Sequence, residues 1–163
     1  QDVTHFRFEG RGHLHCAIEV PGLALPVHCV SVHLSLFAGS RRKQLAALVE
    51  RIEAVVPANA PLIIAGDFND WKNHADALLA QRLNLQEAFA SNRGERPARS
   101  FPARLPLLRL DRIYLRGFSV LERQVHHGGI LTGISDHAPL SATVKAIQHP
   151  GDGVLPAPTE GKR

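Results

Sequence analysis

Pro61-Leu62-Ile63-Ile64-Ala65-Gly66-Asp67-Phe68-Asn69-Asp70 is the stretch that decides how the rest of the chain is read. Residues 61–66 form a short continuous apolar run, the pattern of a strand buried on both faces. A sheet covered on both faces points to an α/β fold. The run stops abruptly at polar side chains, and polar groups at the end of a buried strand sit at a sheet rim, where sites usually lie. Asp67 and Asn69 are two apart, so an extended chain points them the same way. A carboxylate there can ligate a metal or take a proton from water, and a neighbouring amide can orient that water without adding charge. An Asx-turn that ends the strand accounts for the same residues, and both readings stay open.

Upstream, residues 12–20 and 26–36 read as two strands, with Pro21 and Gly22 between them. In the second, Val30, Val32, Leu34 and Leu36 alternate with Cys29, Ser31, His33 and Ser35. Cys16 and Cys29 are the only cysteines and lie six residues either side of Gly22-Leu23. A hairpin there would set them opposite each other, as buried free thiols rather than a disulfide framework. A helix is expected from an N-cap at Ser40 to Pro57, with Leu45, Leu48, Val49, Ile52 and Val56 as its buried stripe. Its first turn carries Arg41, Arg42, Lys43 and Gln44. Cations there oppose the helix dipole, so either a nearby anion or plain solvation must accommodate them.

Downstream, the reading is a short helix over 74–82, a long loop over 91–106, a strand over 110–115 and a strand over 118–125 that pairs with it. A last strand over 138–147 follows, and then a disordered tail over 148–163 that is rich in proline and glycine. Residues 1–147 would make one domain. In Leu110-Asp111-Arg112-Ile113-Tyr114, Asp111 shares its face with Ile113 and Leu115. A carboxylate on an apolar face needs a partner: a histidine, or a surface arginine such as Arg109 or Arg112. In Ser135-Asp136-His137-Ala138-Pro139-Leu140, His137 can donate to a phosphoryl oxygen and Asp136 can ligate a hard cation, although a turn would use the same residues. His33 ends its strand on the polar side, where it could touch phosphate or simply be a satisfied side chain.

The chain has 163 residues, 44% hydrophobic and 21% charged, with a formal net charge of +4. These values suit one domain with a real core and an anionic partner. No apolar run approaches the ~20 residues of a membrane helix, and no signal peptide opens the chain, so a cytoplasmic location is expected. There is no methionine, so the natural start is expected to lie upstream, or the chain to be processed or cut.

Taken in order, "SVHLSL" (31–36), "GDFND" (66–70), "LDRIY" (110–114) and "SDHAPL" (135–140) closely resemble the C-terminal signature of the endonuclease/exonuclease/phosphatase family. "RRKQLAALVERI" (41–52) and "SFPARLPLLRLDRIYLRG" (100–117) are similar to the family's intervening segments, and the resemblance spans about residues 12–146. It implies about half of a four-layer α/β/β/α sandwich. It also implies hydrolysis of phosphodiesters by in-line attack of water with Mg²⁺ or Mn²⁺. Asp67 would position or deprotonate the water, Asn69 would hold water and phosphate, and His137 would stabilise charge on the phosphoryl oxygens. Asp111 would orient His137, His33 would contact phosphate, and Asp136, with Asp67, would lie at the metal.

The family also opens with a strand bearing Asn and a strand ending in a metal-ligating Glu. Both would precede the matched region, so the chain is expected to lack the principal metal ligand; Glu87 is expected to be peripheral. The parent protein is expected to be a nuclease or phosphodiesterase. Arg93, Arg96, Arg99, Arg104, Arg109 and Arg112 would serve as phosphate contacts on nucleic acid. A phospholipase or lipid phosphatase acting on a phospholipid headgroup is the enzymatic alternative. A non-catalytic binding module or inactive remnant is the other.

Overall fold

A computed structural model describes residues 12–90 and 97–147. The proposed tail at 148–163, with Arg93 and Arg96, lies outside the described residues. The chain runs β1 (His13–Ile18), β2 (Val27–His33), α1 (Ala38–Val55), β3 (Leu62–Asp67), α2 (His74–Leu83), β4 (Gln86–Glu87), β5 (Asp111–Arg116), β6 (Phe118–Val125), α3 (Leu131–Ile134) and β7 (Leu140–Ala146). Five strands form one sheet in the order β1-β2-β3-β5-β4, and β6 pairs with β7 in a second.

The apolar run at 62–65 sits at the centre of the first sheet, parallel to β2 and antiparallel to β5. One face of this sheet packs on the helices: Val30, Val32, Leu62 and Ile64 meet Leu45, Leu48, Val49 and Ile52 of α1 and Leu79 and Leu83 of α2. The opposite face carries Ile63, Ile113 and Leu115 against Val125, Leu140, Ala142 and Val144 of the second sheet. The result is α/β with three layers: helices, sheet, sheet. Gly66 has no substitute, because a Cβ there would stand 2.0 Å from the Val32 carbonyl oxygen at a φ of +138°. The close approach of β2 and β3 next to Asp67 therefore requires glycine.

Several expectations are corrected. Strand β6 pairs with β7, not with β5, because Gly117 at φ +79° turns the chain out of the first sheet. Helix α1 begins at Ala38 with Phe37 as its N-cap, three residues before the expected N-cap Ser40. Ser35 makes the turn instead: its Oγ accepts from the Phe37 N–H, and its own N–H donates to Gln44 Oε1 at 2.8 Å. Arg41 faces no anion among the described residues, nor does it face solvent. It is buried, donates to the Ser35 and Leu36 carbonyls, and lies 5.1 Å from the Trp71 ring. Cys16 and Cys29 do face each other across β1 and β2, but Cys16 is exposed and Cys29 half-buried. They line a shallow apolar groove of about 310 Å³ with Leu14, Ile63 and Ala65, on the part of the sheet that β6 and β7 leave uncovered.

Candidate active site

Pairing register places His33, Asp67 and Asp111 in one row across β2, β3 and β5. Alternation turns all three to the face that looks toward the second sheet. His137, in the segment leading into β7, closes the site from that second layer: its Nδ1 lies 2.6 Å from Asp111 Oδ2. An Nδ1–H donating to the carboxylate leaves Nε2 for another partner. The site therefore lies between the two sheets, at the end where β2 and β3 finish and β5 begins.

Asn69 reaches this row by a route that extended alternation does not describe. It adopts φ +48°, in the left-handed region that Asn tolerates. Its backbone N–H donates to Asp67 Oδ1 at 2.8 Å and its Nδ2 to Asp67 Oδ2 at 3.0 Å. Nδ2 also donates to the Leu34 carbonyl at 2.9 Å, which ties the loop after β3 to the end of β2. His33 Nε2 stands 3.4 Å from Asp67 Oδ2. Asp136 is exposed, and its backbone carbonyl accepts from the Ala103 N–H.

Burial pushes the Asp67 pKa up. The Asn69 N–H opposes that push, and the Asp111 charge adds to it. Burial would lower the His137 pKa, but the hydrogen bond and charge of Asp111, with the charges of Asp67 and Asp136, raise it above the ordinary value. Both shifts run the same way: each group binds a proton more readily than it would in water.

Asp111 thus takes the histidine and neither arginine. Arg112, 1% exposed, donates to the Asp70 carbonyl, Asn73, Asp76 and Tyr114. Arg109 pairs with Asp76 and Glu87. These two arginines are used inside the protein and are not phosphate contacts. Glu87 is likewise a buried strut for Arg109, remote from the row of site residues by register. Sequence reasoning missed Ser100 and Phe101. Ser100 Oγ accepts from the Asp111 N–H and its carbonyl accepts from the Ala138 N–H, while the Phe101 ring lies 5.1 Å from the His137 ring. Only the similarity of the 100–117 segment to the family pointed at them.

A model of the endonuclease/exonuclease/phosphatase family matches residues 2–137. The chain belongs to this family. Its members are typically hydrolases of phosphoesters and generally use divalent metal ions. It is 41% identical to the protein YbhP of Escherichia coli over 144 residues, covering 88% of this chain and 56% of that protein. The chain thus spans about half the length of the curated relatives it matches. A conserved protein of unknown function from Enterococcus faecalis superposes with TM-score 0.62 at 26% identity, over 74% of this chain and 50% of that one. TDP2 from D. rerio, solved with a single-strand DNA product, gives TM-score 0.68 at 19% identity, over 89% of this chain and 65% of that one.

Among the described residues, no three His, Cys, Asp or Glu side chains form a group that could hold an ion. Both oxygens of Asp67 take Asn69 donors, and Asp111 Oδ2 takes His137. Among the described residues, no helix is long and apolar enough to cross a membrane.

Proposed function

We propose that this chain supplies the water-activating and charge-stabilising half of a phosphodiester hydrolase. The supporting observation is the alignment of Asp67 with Asp111 in one row, with Asn69 on Asp67 and His137 on Asp111. Water attacks phosphorus in line with the leaving oxygen. Asp67, made more basic by burial, accepts the proton of that water. The Asn69 amide fixes the direction of the carboxylate. His137, whose protonated form Asp111 favours, offers a hydrogen-bond donor to the phosphoryl oxygens as charge develops on them. His33, 3.4 Å from Asp67 Oδ2, would contact a phosphate oxygen.

Asp136 and Asp67 are the acids this chain offers to Mg²⁺ or Mn²⁺. They are too few for a cage, and no step above is routed through the ion. Hydrolysis of a chromogenic phosphodiester by the full-length protein tests the reading, with Asp67→Asn as the comparison. Turnover that survives the substitution overturns it. TDP2 was solved with a DNA product, but two of the arginines expected to serve nucleic acid here are committed internally, so the substrate class has to be argued from the rim of the site.

A further inference from the structure

Six large apolar side chains stand in solvent on the loops that frame the site. Leu36 and Phe37 follow β2, Trp71 follows β3, Leu105 precedes β5, and Ile130 and Ile134 lie ahead of His137. Their exposure runs from 45% for Trp71 to 82% for Ile130. All four loops belong to one end of the molecule, because parallel β2 and β3 finish at His33 and Asp67, opposite the start of β5 at Asp111, to which His137 is bonded. The loops are braced: Arg41 grips the Leu36 carbonyl beneath Trp71, and the Ala103 N–H binds the Asp136 carbonyl.

Scattered exposed apolar residues are ordinary, but several on the segments that frame one polar site suit a docking surface. Charge narrows the partner. On these loops and the first turn of α1, Arg42, Lys43, Lys72, Arg99 and Arg104 are exposed, against one exposed acid on the same segments, Asp136. Nucleic acid would match the charge but would call for aromatic faces on which bases stack. Four of the six side chains are aliphatic and offer no such face. A protein partner seated here would seal the site from substrate. A hydrocarbon boundary beneath anionic headgroups takes leucine, isoleucine, phenylalanine and an interfacial tryptophan, and lysine and arginine meet its surface charge.

We propose that this rim docks on an anionic phospholipid membrane, with Leu36, Phe37, Trp71, Ile130 and Ile134 entering the interface and the site facing headgroup phosphates. The docking goes beyond the hydrolytic reading and does not depend on turnover.

The chain has one tryptophan, so Trp71 emission reports the rim directly. Vesicles of phosphatidylglycerol and phosphatidylcholine should shift it to shorter wavelength, and phosphatidylcholine alone should not. Phe37→Ser and Ile134→Ser should each weaken partitioning about tenfold by removing interfacial apolar area. The Lys43→Glu, Lys72→Glu double variant should weaken it about tenfold or more through lost surface attraction. Emission unmoved by anionic vesicles overturns the proposal, with or without quenching by a single-stranded oligonucleotide. A wavelength shift undiminished in both serine variants overturns it as well.

Discussion

Replacing Asp111 by Asn should lower the pKa of His137 and remove a pH-dependent part of the stability. The two groups are bonded at 2.6 Å, with 26% of the His137 side chain and 23% of the Asp111 side chain exposed. A hydrogen bond to a charged group contributes about 1.5–3 kcal/mol, and this degree of exposure moves the value toward that of surface pairs. A coupling of about 1 kcal/mol in a double-mutant cycle with His137→Ala is therefore expected when the imidazole is charged. The fold raises the His137 pKa, so the folded protein holds that proton more tightly than the unfolded chain. The stabilisation is complete below the unfolded histidine value and disappears as pH rises through the raised folded value. In Asp111→Asn the burial that lowers the pKa remains, offset only by the charges of Asp67 and Asp136. Titration of the His137 ring by NMR, with thermal melts on the acid and alkaline sides of neutrality, measures both effects. A His137 pKa unchanged or higher in the variant would refute the pairing. So would a stability gap that widens as pH rises.

In the full-length enzyme, Asp67→Asn and His137→Ala should each lower kcat by ~10²–10⁴ while KM changes less, since water activation and charge stabilisation act in the transition state; steady-state kinetics on a soluble phosphodiester reads the split. Arg112→Met should cost about 1–3 kcal/mol in urea denaturation, because it removes the buried donor that Asp76, Asn73 and the Asp70 carbonyl share. Arg112→Lys should recover only part, since an ammonium cannot span Asp76, Asn73 and the Asp70 carbonyl together. Calorimetric titration of residues 1–163 with Mn²⁺ should show weak binding, as Asp67 and Asp111 already hold partners; tight one-to-one binding would mean that another side chain of this chain completes the site.

Periodicity was enough to place the central strand, the α1 stripe and the alternation of β2 and β5, because those depend on residues that are neighbours in sequence. It was silent wherever a side chain is satisfied from far along the chain. Gly117 reads as an ordinary turn glycine, yet its left-handed backbone decides that β6 joins β7. Arg112 reads as a surface cation beside a carboxylate, but it is buried and reaches residues 36 to 42 positions away. Charge is visible in a sequence, while the partner that makes burial tolerable is not. The phosphate-binding role expected of Arg109 and Arg112 failed for that reason, and the expected start of α1 failed because Ser35, Gln44 and Arg41 share one local network.

The competing readings of the decisive stretch turn out to be compatible. Asp67 does make the Asx-turn that a purely structural account requires, since its Oδ1 accepts the Asn69 N–H. That same turn gives Asn69 its left-handed backbone and brings its amide back onto Oδ2 and across to Leu34. A carboxylate with both oxygens engaged cannot swing, so its direction relative to Asp111 and His137 is set before any substrate arrives. Ser135 works alike at the other motif, where its Oγ accepts the His137 N–H while Asp111 fixes the ring. At both strand ends the turn chemistry orients the group proposed to act. Substituting Asn69 or Ser135 should therefore disturb the geometry of the site more than the stability of the fold.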